Sequence, residues 1–88
     1  MDELVIGATV HYVLSNGEHR TAIVVRVFDQ YSREAGLANL MVFSDGSNDR
    51  SLIAGDVSAQ GIFWATSVHY ESEGQTHHSW HWTDECWQ

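Results

Sequence analysis

Short runs of alternating apolar and polar residues recur along this chain, and turn-forming residues separate them. Runs of this kind, enriched in β-branched and aromatic side chains, are typical of strands. The strongest strand signal, 21–28, reads Thr-Ala-Ile-Val-Val-Arg-Val-Phe and places Arg26 in the middle of a strand, on the same face as Ala22 and Val24. The pattern predicts five strands, over residues 9–14, 21–28, 37–43, 62–70 and 78–82.

The residues between these runs predict the connections. The Asn16-Gly17 pair after the first run favours a tight hairpin turn. The polar residues that begin at Ser44 predict a long loop to about Gly61, with 51–54 as a candidate for a short helical turn.

Five short strands with hairpin-like connections cannot bury a flat sheet on their own, so the sheet must curl. Closure also removes exposed edges that would promote aggregation. We therefore expect an all-β fold, a small five-stranded, strongly curled antiparallel barrel of the SH3-like type. Its 88 residues suit a single domain, 1–88.

Alternation divides the late aromatic residues between two faces. In the fourth strand, the face with Trp64 and Val68 is expected to be the interior, which leaves Ser67 and His69 outward and exposes Phe63. In the fifth strand, the tryptophans at 80 and 82 share a face, and two interpretations stay open for them. They complete the core, or they contact a ligand.

The charge of the chain limits its partners. The formal net charge is −8, lysine is absent, and all four basic residues are arginine. An acidic domain repels polyanions, so duplex DNA, duplex RNA and anionic membranes are disfavoured partners. One or two arginines in a cleft can still hold a small phosphate, although each of them can equally pair with one of the many carboxylates. The four arginines are Arg20, Arg26, Arg33 and Arg50.

Cys86 is the only cysteine, which excludes an internal disulfide. The first residues lack the charged and apolar regions of a signal peptide, and no apolar run is long enough to span a membrane. These features predict a cytoplasmic protein. No base is paired with Cys86 in the sequence, so we expect its thiol to be incidental.

Six histidines suggest metal binding, but their spacing argues against it. His77 and His78 point to opposite faces of one strand, and a single cysteine removes every thiolate-rich type of zinc site. A site from His69, His81 and a carboxylate is the remaining alternative. We expect no metal site and no cofactor, and we interpret the strand histidines as hydrogen-bonding residues.

Enzyme signatures are missing from the chain. It has no nucleophile elbow and no glycine-rich phosphate loop followed by lysine, so we expect a protein that is not an enzyme. A minimal hydrolase with His69 or His81 as general base is the alternative. The loop at 44–49 lacks the oxygen spacing of a calcium site, and its hydroxyls, carboxylates and amide suit hydrogen bonds to ribose or a base.

Several motifs together resemble a family of small uncharacterised phage and prophage proteins. The motifs span nearly the whole chain: Val10-His-Tyr12, Gly17-Glu-His-Arg20, Ala22-Ile-Val-Val-Arg-Val27, Asn39-Leu-Met-Val-Phe-Ser-Asp-Gly-Ser-Asn-Asp49, Trp64-Ala-Thr-Ser-Val68 and Ser79-Trp-His-Trp82. By analogy with unrelated phage families, the resemblance implies a sponge, a non-catalytic protein that sequesters a nucleotide immune signal. The signal would be a cyclic oligonucleotide or an ADP-ribose derivative. Its removal in the cytoplasm of the host cell would counter anti-phage defence.

A sponge of this kind would be a homo-oligomer, because a pocket for a nucleotide forms more readily between subunits than within so small a barrel. The alternative is a protein-protein interaction module that binds a host defence or virion protein through an aromatic face. The residues assigned to the nucleotide are Arg20 and Arg26 for phosphate, Asp45 and Asn48 for ribose or base, and Trp64, His69, Trp80 and His81 for stacking and hydrogen bonds.

Overall fold

A computed structural model describes residues 3–28, 35–45 and 61–86, which form five strands and one 3₁₀ turn. Every predicted strand is present, with limits within two residues of the prediction. The candidate helical turn at 51–54 lies outside the described residues. None of the described helical segments is long and apolar enough to cross a membrane. The elements are β1 (Thr9–Val13), β2 (His19–Val27), β3 (Ala38–Phe43), β4 (Ile62–Tyr70), β5 (Ser79–Trp82) and the 3₁₀ turn (Thr83–Glu85).

The strands close into a barrel in the order β1-β2-β3-β4-β5, which confirms the predicted small barrel. Four of the five pairs are antiparallel, including the pair of β1 with β5 that closes the ring, whereas β4 and β5 are parallel. A closed ring of five strands cannot alternate direction at every contact. One pair must therefore be parallel, and the antiparallel prediction cannot hold all the way around.

Inward-facing side chains from all five strands fill the barrel. Trp80 is completely buried, and its indole Nε1 donates a hydrogen bond of 2.7 Å to the carbonyl oxygen of Gly36. Trp82 is half-buried and packs against the same core. Of the two interpretations left open for these tryptophans, completion of the core is therefore correct for Trp80. The other buried core residues are Leu4, Val10, Tyr12, Leu14, Ala22, Val24, Ala38, Leu40, Val42, Phe63, Ala65 and Val68.

A β-bulge in β4 corrects the predicted faces of that strand. Leu40 pairs with Ala65 but Ala38 pairs with Val68, so β4 carries one extra residue between these pairs. Ser67, in the bulge, has a φ of 52°, and its amide donates to Oδ1 of Asn39. Because of this extra residue, the side chains that precede the bulge face the opposite way from what strict alternation with Val68 predicts. Phe63 is consequently buried and Trp64 is exposed, opposite to the prediction, while Ser67 and His69 are exposed as predicted.

A second bulge, in β2, changes the side on which Arg26 lies. The register with β3 shifts between Val24 and Arg26, where β2 has one residue more than its partner. Val24 is buried and Arg26 is exposed, so the prediction that they share a face is wrong. The Arg26 guanidinium carbon lies 4.8 Å from the centroid of the Phe28 ring, a cation-π contact on the outer surface.

The turn between β1 and β2 forms where the Asn-Gly pair predicts it. Leu14 donates its amide to the carbonyl of Glu18, and the Glu18 amide donates to Oδ1 of Asn16. Gly17 has a φ of 89°, a conformation that glycine adopts without steric cost. This turn sets the register of β1 with β2, and that register positions the site described next.

Candidate metal centre

Four side chains with metal-binding atoms converge on the outside of the barrel wall. They are His11 of β1, His19 of β2, His81 of β5 and Cys86, just after the 3₁₀ turn. One ligand atom from each lies within 4.8 Å of the corresponding atom of every other. Three imidazoles and one thiol thus surround a common point.

The strand register explains why the histidines meet. His11 pairs directly with His81 across β1 and β5, and Val13 pairs with His19 across β1 and β2. Directly paired residues of an antiparallel sheet point to the same face. Because Val10 and Tyr12 point into the core, His11 points outward and takes its partner His81 with it. The centroid of the His19 ring lies 4.6 Å from that of His81 and 6.5 Å from that of His11.

Two segments outside the strands cover this cluster. The connection from β4 to β5 brings the buried Gly74 against it, and the 3₁₀ turn brings Cys86. Glu85 holds this turn in place, because its carboxylate accepts hydrogen bonds from the Tyr70 hydroxyl at 2.6 Å and from the Trp82 amide at 2.9 Å. The thiol is therefore positioned by the fold and not by an extended tail.

His19 uses both ring nitrogens inside the cluster. Its Nε2 lies 3.1 Å from the carbonyl oxygen of Gly74, and its Nδ1 lies 3.1 Å from Sγ of Cys86. A carbonyl oxygen can only accept, so Nε2 carries a proton and donates it to Gly74. In the neutral ring, this leaves the lone pair on Nδ1 directed at the sulfur.

The other two histidines have buried nitrogens without partners. His81 is only 1% exposed, and neither of its ring nitrogens has a hydrogen-bond partner among the described residues; the same is true of Nδ1 of His11. A buried polar atom left unpaired costs about 1–3 kcal/mol. Burial first, and the neighbouring His19 second, lower the pKa of His11 and of His81 below the usual 6.5. Both rings are therefore neutral near pH 7 and offer lone pairs.

This donor set suits a borderline transition-metal ion. Zinc takes imidazole nitrogen at about 2.0–2.1 Å and thiolate sulfur at about 2.3 Å, usually from four tetrahedral ligands. Those bond lengths correspond to separations of about 3.3–3.6 Å between ligand atoms. The largest separation here is 4.8 Å, so side-chain movements of about an ångström would close the four atoms around an ion. The hard cations Mg²⁺ and Ca²⁺ prefer oxygen and do not fit.

None of the described residues assigned to phosphate or ribose is a member of this cluster. Arg20 is half-buried and turns back on its own strand, where it donates to the His19 carbonyl oxygen and pairs with the Glu18 carboxylate at 2.8 Å. Arg26 stacks on Phe28, and Asp45 is exposed at the end of β3. Asn48 lies outside the described residues.

The residues assigned to stacking are divided between the core and the surface. Trp80 fills the barrel and is closed to an external ring, and His81 belongs to the His-Cys cluster. Trp64 is 62% exposed and His69 is exposed, both on β4. Nucleotide sequestration stays a prediction, with Trp64, His69, Arg26 and Asp45 as its exposed members.

Sequence reasoning does not identify three members of the cluster, His11, His19 and Cys86. The expectation of no metal site rests on the spacing of the histidines and on the single cysteine. The expectation that the Cys86 thiol is incidental rests on the lack of a paired base, whereas His19 Nδ1 lies 3.1 Å from its sulfur. The sequence does contain a pattern that places two members of the cluster, His11 and His81, side by side. The aromatic face of β5 and the apolar face of β1 both belong in the core, so closing the barrel through these strands places His11 beside His81.

No family model, no curated protein and no solved structure matches this chain. The resemblance to small phage proteins therefore stays a prediction, and the function has to be argued from the side chains themselves.

Proposed function

We propose that this protein is a metal-binding domain that holds a zinc-type divalent ion through His11, His19, His81 and Cys86. The observation that carries the proposal is the buried His81 ring, whose two nitrogens have no partner among the described residues although it packs against two further imidazoles. An ion would accept one lone pair from each ring, so one of the two His81 nitrogens would gain a partner that none of the described residues provides.

A nucleophilic Cys-His pair accounts for the site less well. The contact of 3.1 Å between His19 Nδ1 and Cys86 Sγ would suit a thiol activated by an imidazole. Such a pair needs neither His11 nor His81, and it leaves their buried nitrogens unpaired. A bound ion uses all four side chains, because the thiol loses its proton to become a thiolate ligand and the imidazoles bind as neutral rings.

Four protein ligands make this a closed site. Catalytic zinc keeps three protein ligands and an open position for water or substrate, whereas structural zinc is bound by four. The bound ion would connect three strands of the barrel to the segment that carries Cys86. The proposed ion therefore has a structural role, and the domain is metal-stabilised and not catalytic.

The test is a measurement of Zn²⁺ binding by competition with a chromophoric chelator, on protein first stripped with EDTA. We expect one ion per chain. Co²⁺ in its place should give the visible bands of a tetrahedral ion and a thiolate-to-cobalt charge-transfer band. Cys86→Ala should abolish that charge-transfer band, and both Cys86→Ala and His11→Ala should weaken Zn²⁺ binding at least about tenfold, since each removes one of four ligands.

His77→Ala is the matched control, because His77 is exposed and is not part of the cluster. It should bind Zn²⁺ as the unaltered chain does. The proposal fails if the stripped protein takes up no Zn²⁺, or if His77→Ala and His11→Ala weaken binding to the same extent, which would indicate nonspecific binding by surface histidines.

A further inference from the structure

The connection between β4 and β5 contacts the cluster at Gly74. This glycine is buried, and its φ of 66° lies in the left-handed region. Its carbonyl oxygen is 3.1 Å from Nε2 of His19. None of the four ligand residues belongs to this connection.

The space at Gly74 is filled by the rings of two ligand residues. A Cβ atom added there would lie 2.9 Å from Cε1 of His19 and 3.0 Å from Cε1 of His81. Real Cβ atoms essentially never lie as close as 2.9 Å to another heavy atom, so a side chain would have to displace the His19 ring. The His81 ring, at 3.0 Å, would have to shift by a few tenths of an ångström. The absence of a side chain at Gly74 allows the connection to cover the rings while its carbonyl accepts a hydrogen bond.

Metal-binding histidines commonly donate their second ring nitrogen to a carbonyl or a carboxylate, which fixes the tautomer and the ring orientation. The Gly74 carbonyl fills this role for His19. It holds the proton on Nε2 and leaves Nδ1 directed at Cys86 Sγ.

We infer that Gly74 is the positioning residue of the metal site, and that through it His19 binds the ion by Nδ1 and not by Nε2. This inference rests on the proposed function. It adds which nitrogen of His19 binds the ion. It also states that the Gly74 carbonyl, which is not itself a ligand, helps the site to retain the ion. Loss of such an outer partner typically weakens metal affinity about 10- to 100-fold.

The first test compares two glycine variants. Gly74→Ala forces a methyl group against His19 and His81, whereas Gly17→Ala, at a φ of 89°, meets no atom within 4 Å. Both substitutions impose the strain of a left-handed backbone, so Gly17→Ala is matched for that effect. We expect Gly74→Ala to weaken Zn²⁺ binding by about 10- to 100-fold and Gly17→Ala to leave the affinity unchanged, as measured by chelator competition.

The second test needs no variant and so remains decisive if Gly74→Ala does not fold. Long-range proton-nitrogen NMR correlations of the Zn²⁺-loaded protein should show His19 with a protonated Nε2 and a metal-bound Nδ1. A metal-bound Nε2 overturns the inference, and so does an equal loss of affinity in the two glycine variants. In either case the proposed function stands. Failure of the unaltered protein to bind Zn²⁺ overturns the proposed function itself.

Discussion

His11 lies directly opposite His81 in the pairing of β1 with β5, and their ring planes meet at 85° with the centroids 5.8 Å apart. This pairing is also the contact that closes the barrel. The candidate metal centre is therefore built across the seam of the fold, and an ion bound there stabilises the closed ring.

Metal loading should raise thermal stability. A ligand that binds only the folded state, present at a thousand times its dissociation constant, stabilises that state by about 4 kcal/mol. One kcal/mol raises the melting temperature of a domain of this size by about 4–8 °C, so calorimetry should show an increase of roughly 15–30 °C on adding Zn²⁺ to EDTA-stripped protein. Mg²⁺ should cause no change, because the site offers no oxygen ligand. An equal response to both ions would contradict the assignment.

Trp80 and Trp64 should respond in opposite ways to the same substitution. Trp80→Phe removes buried volume and the indole donor to Gly36, so we expect the free energy of unfolding to fall by about 2–4 kcal/mol. Trp64 is 62% exposed, and Trp64→Phe should change that free energy by no more than about 0.5 kcal/mol. Urea denaturation followed by circular dichroism measures both. Similar losses in the two variants would mean that the described alternation of β4 is wrong.

Within residues 3–28, 35–45 and 61–86, two residues other than glycine have a positive φ, and we expect opposite effects when each is replaced by glycine. Ser67, at 52°, makes its bulge contact through the backbone amide, so Ser67→Gly should relieve strain and stabilise the protein by about 0.5–1 kcal/mol. His78, at 58°, holds the Tyr12 hydroxyl at 2.6 Å through its side chain. His78→Gly should therefore destabilise by about 1–2 kcal/mol. Chemical denaturation of both variants distinguishes backbone strain from side-chain bonding.

The Tyr12 phenol should make the fold sensitive to alkali. It is 5% exposed, and burial raises its pKa from 10.0 to about 12. Because the folded state has the higher pKa, the contribution of Tyr12 to stability is complete below pH 10 and is lost as the pH rises to about 12. This loss amounts to about 2–3 kcal/mol.

The measurement for Tyr12 is denaturation at stepwise pH, together with phenolate absorbance. Tyr12→Phe, which has no proton to lose at this position, should show a smaller loss of stability above pH 10 than the unaltered chain. A Tyr12 phenolate signal that appears near pH 10 in the folded protein would refute the shift.

Alternation and turn chemistry predict the strands well, and they fail at the bulges for a definite reason. Side chains in a strand alternate with a period of two, so a single extra residue moves every following side chain to the other face. The extra residue near Ser67 exchanges the predicted environments of Phe63 and Trp64. The extra residue at Val25 separates Arg26 from the buried Val24. Neither position has a glycine or proline to mark it in the sequence.

Only the members of the candidate site whose positions follow from strand alternation and pairing could be predicted from the sequence. Alternation sends His11 and His81 outward from strands that a closed barrel brings together. Cys86 follows a 3₁₀ turn, and its path depends on the Glu85 contacts with Tyr70 and Trp82, which no periodicity encodes. The Gly74 contact likewise depends on how an irregular connection folds over the wall.

The contact between His19 and Cys86 spans 67 positions of the chain, and it has a kinetic consequence. Contacts this distant in sequence form late, because the entropy of closing so long a loop must be overcome before they contribute. In the unfolded chain the pair His11 and His19 is distant from the pair His81 and Cys86, so the four ligands do not converge on one ion. Capture of the ion at this seam would therefore follow closure of the ring, and its rate would report the last step of folding.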